Sequence, residues 1–530
     1  MKNIKYISLL FGITAFVACN EPEDVLKDTN IEPEEIIVLP ELSAGTADFS
    51  NYVSLGASFT AGFTDGAVFI AGQENSFPNI LAQQFANIGG GNFTQPLVSD
   101  NTGGLIIGAT PVAPYRLVFN GATPERLNTF LPKIGRPVPS ITTDPTVNLG
   151  SSFNNVGVPG AKSFHVTFPG YGSLNPYFGR MASSPSATML GDAASQNPTF
   201  FTLSEIGGND VLSYATSGGI GVDQTGNFNP ATYGNNDITD PTVFGQVFNG
   251  IVNQLTANGA QGVVANVPYI TNLPYFTTIP NNALVLDATQ AANLTGFFQA
   301  VTGIFTQGAI LQGLPPAQAQ ALAAQYAITF EEGPNRFLID VPASPTNPLG
   351  FRQMTEDELL LLPIDQAALA QGYGSVALNN DVLQVLGLLQ AGGTPTPEQA
   401  GLVLAAVNGI DDVDALDSEE LQNIKEATDA YNTVIQDVAT AKGLGLVDFK
   451  GILEESSATG IASGNFVLKT NLVTGGLVSL DGIHLTSRGY AVLANEMLKV
   501  IDATYGSNFE ASGNLVDPGN YPTNYSPLLP

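Results

Sequence analysis

The residues best suited to chemistry are a serine near the start of the chain and an Asp-x-x-His segment near its end. Ser58 follows an apolar run and lies among small residues, where a strand can end in a sharp turn that exposes a hydroxyl. Asp481 precedes His484 by three residues. At this spacing the carboxylate can hold the imidazole Nδ1 and leave Nε2 free to accept a proton. These residue types predict nucleophilic catalysis by a serine hydroxyl.

The small number of histidines narrows the choice of general base, because the chain contains only 2 of them. His165 alternates with apolar residues between Ser163 and Val166, a pattern typical of a structural histidine. Only His484 has an acid at the required spacing. We therefore predict that His484 is the general base for Ser58.

Two further segments have features that could stabilise negative charge on a carbonyl oxygen. Asn209 lies in the segment from Ile206 to Asp210, directly after an apolar run, and its side-chain amide can donate a hydrogen bond. The segment from Asn155 to Ala161 contains Gly157 and Gly160, each with a backbone N–H that could do the same. Both segments are predicted to lie at strand ends.

Short β-branched or aromatic runs alternate with helical patterns along the chain, which is typical of a parallel sheet with crossover helices. Predicted strands span 51–55, 199–206, 262–267 and 444–449, and predicted helices span 77–85, 243–257, 418–442 and 487–501. Thr486 is the predicted N-cap of the last helix. The predicted fold class is therefore α/β.

The composition changes between residues 281 and 417 to helical segments rich in Ala, Leu and Gln. Thr355 with Glu358 indicates a capping box, and Thr396 followed by Pro397 indicates another helix start. We expect a helical insertion that is either a cap over the site or a packing appendage, and we favour the cap.

The first 19 residues have the pattern of an export signal. Two lysines precede an apolar run that is too short to span a bilayer, and the run ends at Cys19, the only cysteine. The sequence Phe-Val-Ala-Cys at 16–19 resembles the lipobox of bacterial lipoproteins. The resemblance implies that Cys19 is lipidated and anchors the protein to the outer membrane, on its periplasmic or cell-surface side.

The rest of the chain divides into three predicted parts. Residues 20–48 are acidic and rich in proline, which predicts a tether, and residues 49–505 form the folded domain with its insertion. Residues 506–530 form a tail rich in Pro and Asn that is either disordered or packed as an extended strap.

Charge excludes one class of partner. The chain has 47 acidic and 17 basic residues and a formal net charge of −30. A nucleic acid would be repelled by such a surface, so it is not an expected partner.

Four segments of the chain resemble, in the same order, the four sequence blocks of the SGNH (GDSL-like) hydrolase family. They contain Ser58, Gly160, Asn209 and the pair Asp481 and His484. The resemblance implies a flavodoxin-like three-layer α/β/α sandwich. It also implies an oxyanion hole formed by the backbone N–H groups of Ser58 and Gly160 and the side chain of Asn209. The family often has Asp where Ala57 stands, so this chain lacks one hydrogen-bonding carboxylate but no triad member.

The expected function is hydrolysis of a carboxylic ester through an acyl-enzyme, which requires neither a metal nor an organic cofactor. The substrate class remains open between a lipid and an acylated glycan. Two alternatives are an acetyl esterase that acts on glycans and a non-catalytic surface lipoprotein that binds a glycan or a protein.

Overall fold

The computed structural model describes residues 38–150 and 152–529, and this part of the chain contains a central sheet of five strands. The strands are β1 (Tyr52–Gly56), β2 (Asn155–Gly157), β3 (Phe200–Ser204), β4 (Gln261–Ala265) and β5 (Gly445–Val447). Their order is β2-β1-β3-β4-β5, and every neighbouring pair is parallel. Every residue of β1 and β3 is buried, as expected for parallel strands covered on both faces. The sheet confirms the predicted α/β fold class.

Six helices connect or flank these strands. They are α1 (Phe77–Ala86), α2 (Gly208–Thr216), α3 (Pro241–Leu255), α4 (Ser418–Lys442), α5 (Phe449–Ala458) and α6 (Ser487–Tyr505). Helix α1 packs on α6, and α3 packs on α4. Thr486 caps α6 by accepting a hydrogen bond from the backbone N–H of Gly489, as predicted. Helices α1, α3, α4 and α6 were predicted, because their apolar residues repeat at helical spacing, whereas helices α2 and α5 were not predicted.

Shorter elements fill the connections. Short helices span Ile70–Glu74, Leu127–Lys133, Pro176–Met181, Met189–Ala194 and Pro274–Thr277. Peripheral antiparallel pairs join Leu105–Ile107 to Thr110–Ala113, Leu117–Phe119 to Pro124–Arg126, and Ile461–Ser463 to Phe466–Leu468. None of these belongs to the central sheet.

The region from 281 to 417 has its own apolar core and mixes helices with short antiparallel pairs. Its helices are Ala288–Leu311, Pro316–Ala323, Gln366–Leu369, Asn380–Gln390 and Pro397–Leu404. Its strand pairs join Leu284–Leu286 to Gly333–Asn335, Leu338–Asp340 to Phe351–Gln353, Leu359–Leu360 to Ala415–Leu416, and Ser375–Val376 to Val407–Asn408. Because of these strand pairs, the insertion is only partly helical.

By length and composition Ala288–Leu311 could cross a membrane, but the core helices of soluble proteins pass the same criterion.

One predicted helix start in this region is wrong. Thr355 does donate its backbone N–H to the Glu358 carboxylate at 2.7 Å, but the chain continues into the strand Leu359–Leu360. The Glu358 carboxylate is buried and pairs with the Arg352 guanidinium at 2.5 Å. The same carboxylate accepts the backbone N–H of Ser418 at 3.2 Å, so Glu358 is held by Arg352 and by a segment 60 residues away, and no helix begins at Thr355. The start predicted at Thr396 is confirmed, with a complete capping box.

Both ends of the main compact unit pack on its core. Residues 42–530 form one compact unit, which begins before the predicted start at residue 49. Leu42 lies against the core, and the Thr46 N–H donates to the Tyr505 carbonyl at 2.8 Å. In the C-terminal tail Phe509 is fully buried, and the Tyr525 hydroxyl lies 2.5 Å from that of Ser487. The tail therefore packs as a strap.

Cys19 and the segment 1–19 lie outside the described residues.

Candidate active site

Asp481 and His484 lie together on the loop that leads into α6. The Oδ2 atom of Asp481 lies 2.8 Å from Nδ1 of His484. The other oxygen, Oδ1, accepts the backbone N–H groups of Ile483 and His484, each at 2.9 Å. One carboxylate thus fixes both the imidazole and the backbone that carries it. This arrangement leaves Nε2 of His484 as the ring nitrogen available to a substrate or nucleophile.

Two neighbouring segments supply further donors to the Asp481 carboxylate. Gly66 donates its backbone N–H to Oδ2 at 2.8 Å, and the Ser479 hydroxyl donates to Oδ1 at 3.1 Å. Burial raises the pKa of Asp481, but the charge of His484 and the hydrogen bonds from the His484 ring and from the His484 and Ile483 backbone outweigh burial and hold that pKa below its usual range. Asp481 is therefore a carboxylate at neutral pH.

The turn between Asp481 and His484 requires a glycine. Gly482 has a φ of +76°, and a Cβ at this position would lie 2.9 Å from the backbone nitrogen of Tyr275. The Tyr275 N–H donates to the Gly482 carbonyl at 3.0 Å, so the two segments touch through their backbones. No side chain could replace hydrogen at this position without displacing the loop.

Ser58 lies in the turn that follows β1. The Phe63 N–H donates to the Ser58 carbonyl at 2.9 Å, which closes the turn around the serine. Ser58 is 7% exposed and lines a cavity. Within the described residues, neither its Oγ nor its N–H has a hydrogen-bond partner. Both groups of Ser58 are therefore available to a ligand.

Glu205, which the sequence analysis did not single out, holds the turn that carries Ser58. Its carboxylate accepts the backbone N–H of Phe59 at 2.5 Å, the N–H of Thr60 at 2.7 Å and the Thr60 hydroxyl at 2.9 Å. Glu205 itself has a φ of +64°, which is strained for a residue with a side chain. The one feature of the sequence that could have indicated a role for Glu205 is its position, as an acid directly after the buried strand β3. Because Ala57 supplies no carboxylate, Glu205 is the acid that supports this turn.

The electrostatic state of Glu205 differs from that of Asp481. Burial raises the pKa of Glu205 to about 7, and the hydrogen bonds from Phe59 and Thr60 only partly oppose this shift. Glu205 is therefore divided between its neutral and ionised forms near neutral pH.

Gly160 and Asn209 lie next to each other on the loops after β2 and β3. The Asn209 amide donates to the Ala161 carbonyl at 3.0 Å and lies in the first turn of α2. The Gly160 N–H has no hydrogen-bond partner among the described residues, whereas the Gly157 N–H donates to Oδ1 of Asn155 at 2.9 Å. The geometry therefore favours Gly160 over Gly157 as an oxyanion donor.

Asp210 ties these two loops together. This fully buried carboxylate accepts the Ser163 backbone N–H at 2.8 Å and the Ser163 hydroxyl at 2.6 Å. The loop that carries Gly160 is thus fastened to the start of α2, so the two predicted oxyanion donors keep a fixed relation.

Aromatic rings join the serine turn to the histidine. The Phe59 ring centroid lies 5.7 Å from that of His484, and the Phe63 centroid lies 4.3 Å from it. No hydrogen bond between Ser58 Oγ and the His484 ring occurs in the described part of the chain. Such contacts are often long in enzymes without a bound substrate. The fold thus brings all five predicted residues, Ser58, Gly160, Asn209, Asp481 and His484, to the carboxyl edge of the sheet.

His165 has a different environment. Its Nδ1 accepts the Lys162 backbone N–H at 3.1 Å, and its ring stacks on Tyr171 with centroids 4.5 Å apart. Burial lowers the pKa of His165 to about 4, so the ring is neutral at physiological pH. These contacts give His165 a structural role in its loop.

Over residues 38–150 and 152–529, no group of three or more His, Cys, Asp or Glu side chains is placed to hold a metal ion. Comparison of the chain with family models, with curated proteins and with solved structures finds no match.

Proposed function

We propose that this protein is a serine ester hydrolase of the SGNH type, with Ser58 as nucleophile, His484 as general base and Asp481 as the residue that orients it. Two features of the fold support the flavodoxin-like three-layer α/β/α architecture that this proposal includes. The strand order β2-β1-β3-β4-β5 is that of flavodoxin-like doubly wound sheets. Two helix pairs, α1 with α6 and α3 with α4, flank the sheet.

The observation that carries the proposal is the Asp481–His484 hydrogen bond of 2.8 Å beside the turn of Ser58. A structural histidine needs one partner for its ring, but it does not need a carboxylate that also receives hydrogen bonds from Gly66 and Ser479. A carboxylate–imidazole pair next to an unpartnered serine hydroxyl is the arrangement that activates a nucleophile.

In the proposed reaction, Ser58 Oγ attacks the ester carbonyl carbon while its proton passes to Nε2 of His484. The carbonyl π electrons move to the oxygen, and the N–H groups of Ser58 and Gly160 with the Asn209 amide stabilise the oxyanion. Collapse breaks the bond to the alcohol, which leaves with the proton from His484. Water then attacks the acyl-enzyme with the same base, and the released acid regenerates Ser58. No resident metal or organic cofactor takes part in these steps.

We also propose that Cys19 is lipidated and that the protein is an outer-membrane lipoprotein. The position of Cys19 directly after the short apolar run supports this proposal. Intact mass of the protein purified from membranes should show a diacylated or triacylated N-terminus at Cys19. An unmodified chain that begins with Met1 would contradict it.

The function is tested with the full chain in a non-ionic detergent and p-nitrophenyl butyrate as substrate. We expect turnover by the parent protein and a loss of at least about 1000-fold in kcat for Ser58→Ala. Ser457→Ala removes an exposed serine on α5 and serves as the matched control, with unchanged turnover. Equal turnover in Ser58→Ala would exclude Ser58 as nucleophile. Absence of turnover in every protein would favour a non-catalytic binding lipoprotein.

A further inference from the structure

Two cavities meet at the proposed active site, and they differ in chemistry. The narrow cavity contains Ser58 in its lining, and the wide cavity contains Gly160. Asn209, Leu212 and Ile483 line both. An ester carbonyl held between Ser58 and Asn209 would therefore direct its acyl and alcohol portions into different cavities.

The narrow cavity is almost entirely apolar. It has a void volume of about 550 Å³, including the part open to solvent, and its walls include Val267, Leu273, Phe449 and Leu453, all of which are buried. Its polar lining side chains are those of Ser58, Glu205 and Asn209, and two of these, Ser58 and Asn209, belong to the proposed reacting group. A hydroxyl-rich group would lose its hydrogen bonds to water here without replacing them. An aliphatic chain has no hydrogen bonds to water to lose, and removing its apolar surface from water is favourable.

The wide cavity is lined by polar and aromatic side chains. Its void volume is about 1870 Å³, including the part open to solvent. Phe164, Phe168 and Tyr233 provide aromatic faces and edges, and the exposed residues Asn229 and Asn235 provide amide groups. Aromatic surface combined with neutral hydrogen-bonding groups suits a polyol or a sugar better than a second alkyl chain.

Charge excludes an anionic alcohol portion from the wide cavity. Of the described residues that line it, Lys162 is the one lysine or arginine. Lys162 is only 3% exposed, and its ammonium donates to the Asp237 carbonyl at 2.5 Å. His165, the other basic residue in the lining, is neutral for the reason given above. A phosphate or phosphodiester in this cavity would therefore meet no accessible cation.

We infer that the substrate is an aliphatic acyl ester of an uncharged, hydroxyl-rich alcohol, either a sugar or glycerol. The acyl chain occupies the narrow cavity, and the alcohol occupies the wide cavity. This inference rests on the proposed function, because it uses Ser58 and Asn209 to divide the substrate between the two cavities. It disfavours short acetyl groups, which would leave the narrow cavity unfilled.

The acyl assignment is tested with vinyl acetate, vinyl butyrate and vinyl octanoate, whose common alcohol portion is small. Each methylene that enters the narrow cavity should raise kcat/KM by up to about fourfold, with a total gain of at least about 20-fold from acetate to octanoate. Leu453→Phe narrows the cavity and should shift the preference toward butyrate. If this variant does not fold, the dependence of kcat/KM on acyl chain length in the parent protein still tests the acyl assignment. Equal kcat/KM for acetate and octanoate would overturn the inference.

The alcohol assignment is tested with octanoyl glucose, monooctanoyl glycerol and octanoyl lysophosphatidate. We expect the better of the two neutral esters to exceed the anionic ester at least about tenfold in kcat/KM. The ranking of glucose and glycerol then identifies the source of the alcohol. Preference for the anionic ester would overturn the inference.

Phe168→Ala probes the wide cavity directly, because Phe168 lines it and is 44% exposed. We expect kcat/KM to fall at least about five times more for octanoyl glucose or monooctanoyl glycerol, whichever is preferred, than for vinyl octanoate. Phe228→Ala removes a phenylalanine that is 65% exposed outside the cavity and should change neither value. An equal change for both substrates would overturn the assignment of the alcohol. If no ester shows turnover that depends on Ser58, the proposed function itself fails.

Discussion

Two carboxylates support the two sides of the candidate active site, but they are held in different ways. Asp481 accepts the N–H groups of Gly66, Ile483 and His484 as well as the Ser479 hydroxyl, and it also faces an imidazole. Glu205 accepts two N–H groups and one hydroxyl and has no hydrogen-bonded cation.

The pKa values follow this difference in donors. Both groups pay the desolvation penalty of burial, but only at Asp481 do the charge of His484 and the hydrogen bonds overcome it. The pKa of Asp481 is therefore below its usual range, whereas that of Glu205 is raised to about 7. At Asp481 the charge of the hydrogen-bonded His484 ring, together with the hydrogen bonds, keeps a buried carboxylate ionised.

The largest effect is expected from Asp481→Asn. Asparagine would present its amide or its carbonyl to the imidazole without a charge, so the tautomer with a free Nε2 and the protonated intermediate both lose stabilisation. In a triad of this kind kcat falls by about 10⁴-fold. The measurement is ester turnover by the variant, with Asp144→Asn in an exposed loop as the control. Turnover within tenfold of the parent protein would mean that Asp481 does not orient the base.

A smaller loss of activity is expected from Glu205→Gln. The carboxylate accepts from Phe59 and Thr60 through both of its oxygens, and an amide replaces one acceptor with a donor. The turn that carries Ser58 should shift, and kcat should fall roughly 10- to 100-fold with less change in KM. Glu420→Gln is the matched control, because the pKa of Glu420 is also raised to about 7 but its capping contact lies on α4. Unchanged kcat in Glu205→Gln would limit Glu205 to a packing role.

A third effect, on stability rather than on activity, depends on pH. Because burial raises the pKa of Glu205 from 4.5 to about 7, the folded state favours the neutral acid. Its contribution to stability is complete below pH 4.5 and is lost as the pH rises through about 7. Over this range the parent protein should lose roughly 3 kcal/mol more than Glu205→Gln in free energy of unfolding. Denaturant titrations at several pH values measure the difference, and parallel curves would contradict it.

The sequence predicted the base side of the site better than the nucleophile side. Asp481 and His484 interact over three residues, so their spacing alone indicated the contact. Glu205 and Phe59 are 146 residues apart, and only the alignment of β1 with β3 brings them together. Local spacing carries no information about such a pair.

The same distinction explains the fold predictions. The strands β1, β3 and β4 and the helices α1, α3, α4 and α6 show their periodicity locally, and they were predicted within a few residues. The strand β5 was predicted too, from the longer and mostly apolar segment 444–449, whereas β2 has the sequence Asn-Val-Gly and so only one residue typical of a strand. Neither described cavity at the site is lined by a residue of the region 281–417, which favours the packing appendage over the predicted cap.

The central claim is that Ser58 is a nucleophile activated by His484 and Asp481. The most direct test is intact-mass and peptide analysis after treatment with a fluorophosphonate, which forms a stable bond to an activated serine and expels fluoride. The account predicts one adduct on the peptide that contains Ser58, its loss in Ser58→Ala and slower formation in Asp481→Asn. An adduct that persists in Ser58→Ala, or a parent protein that forms none, would contradict the account.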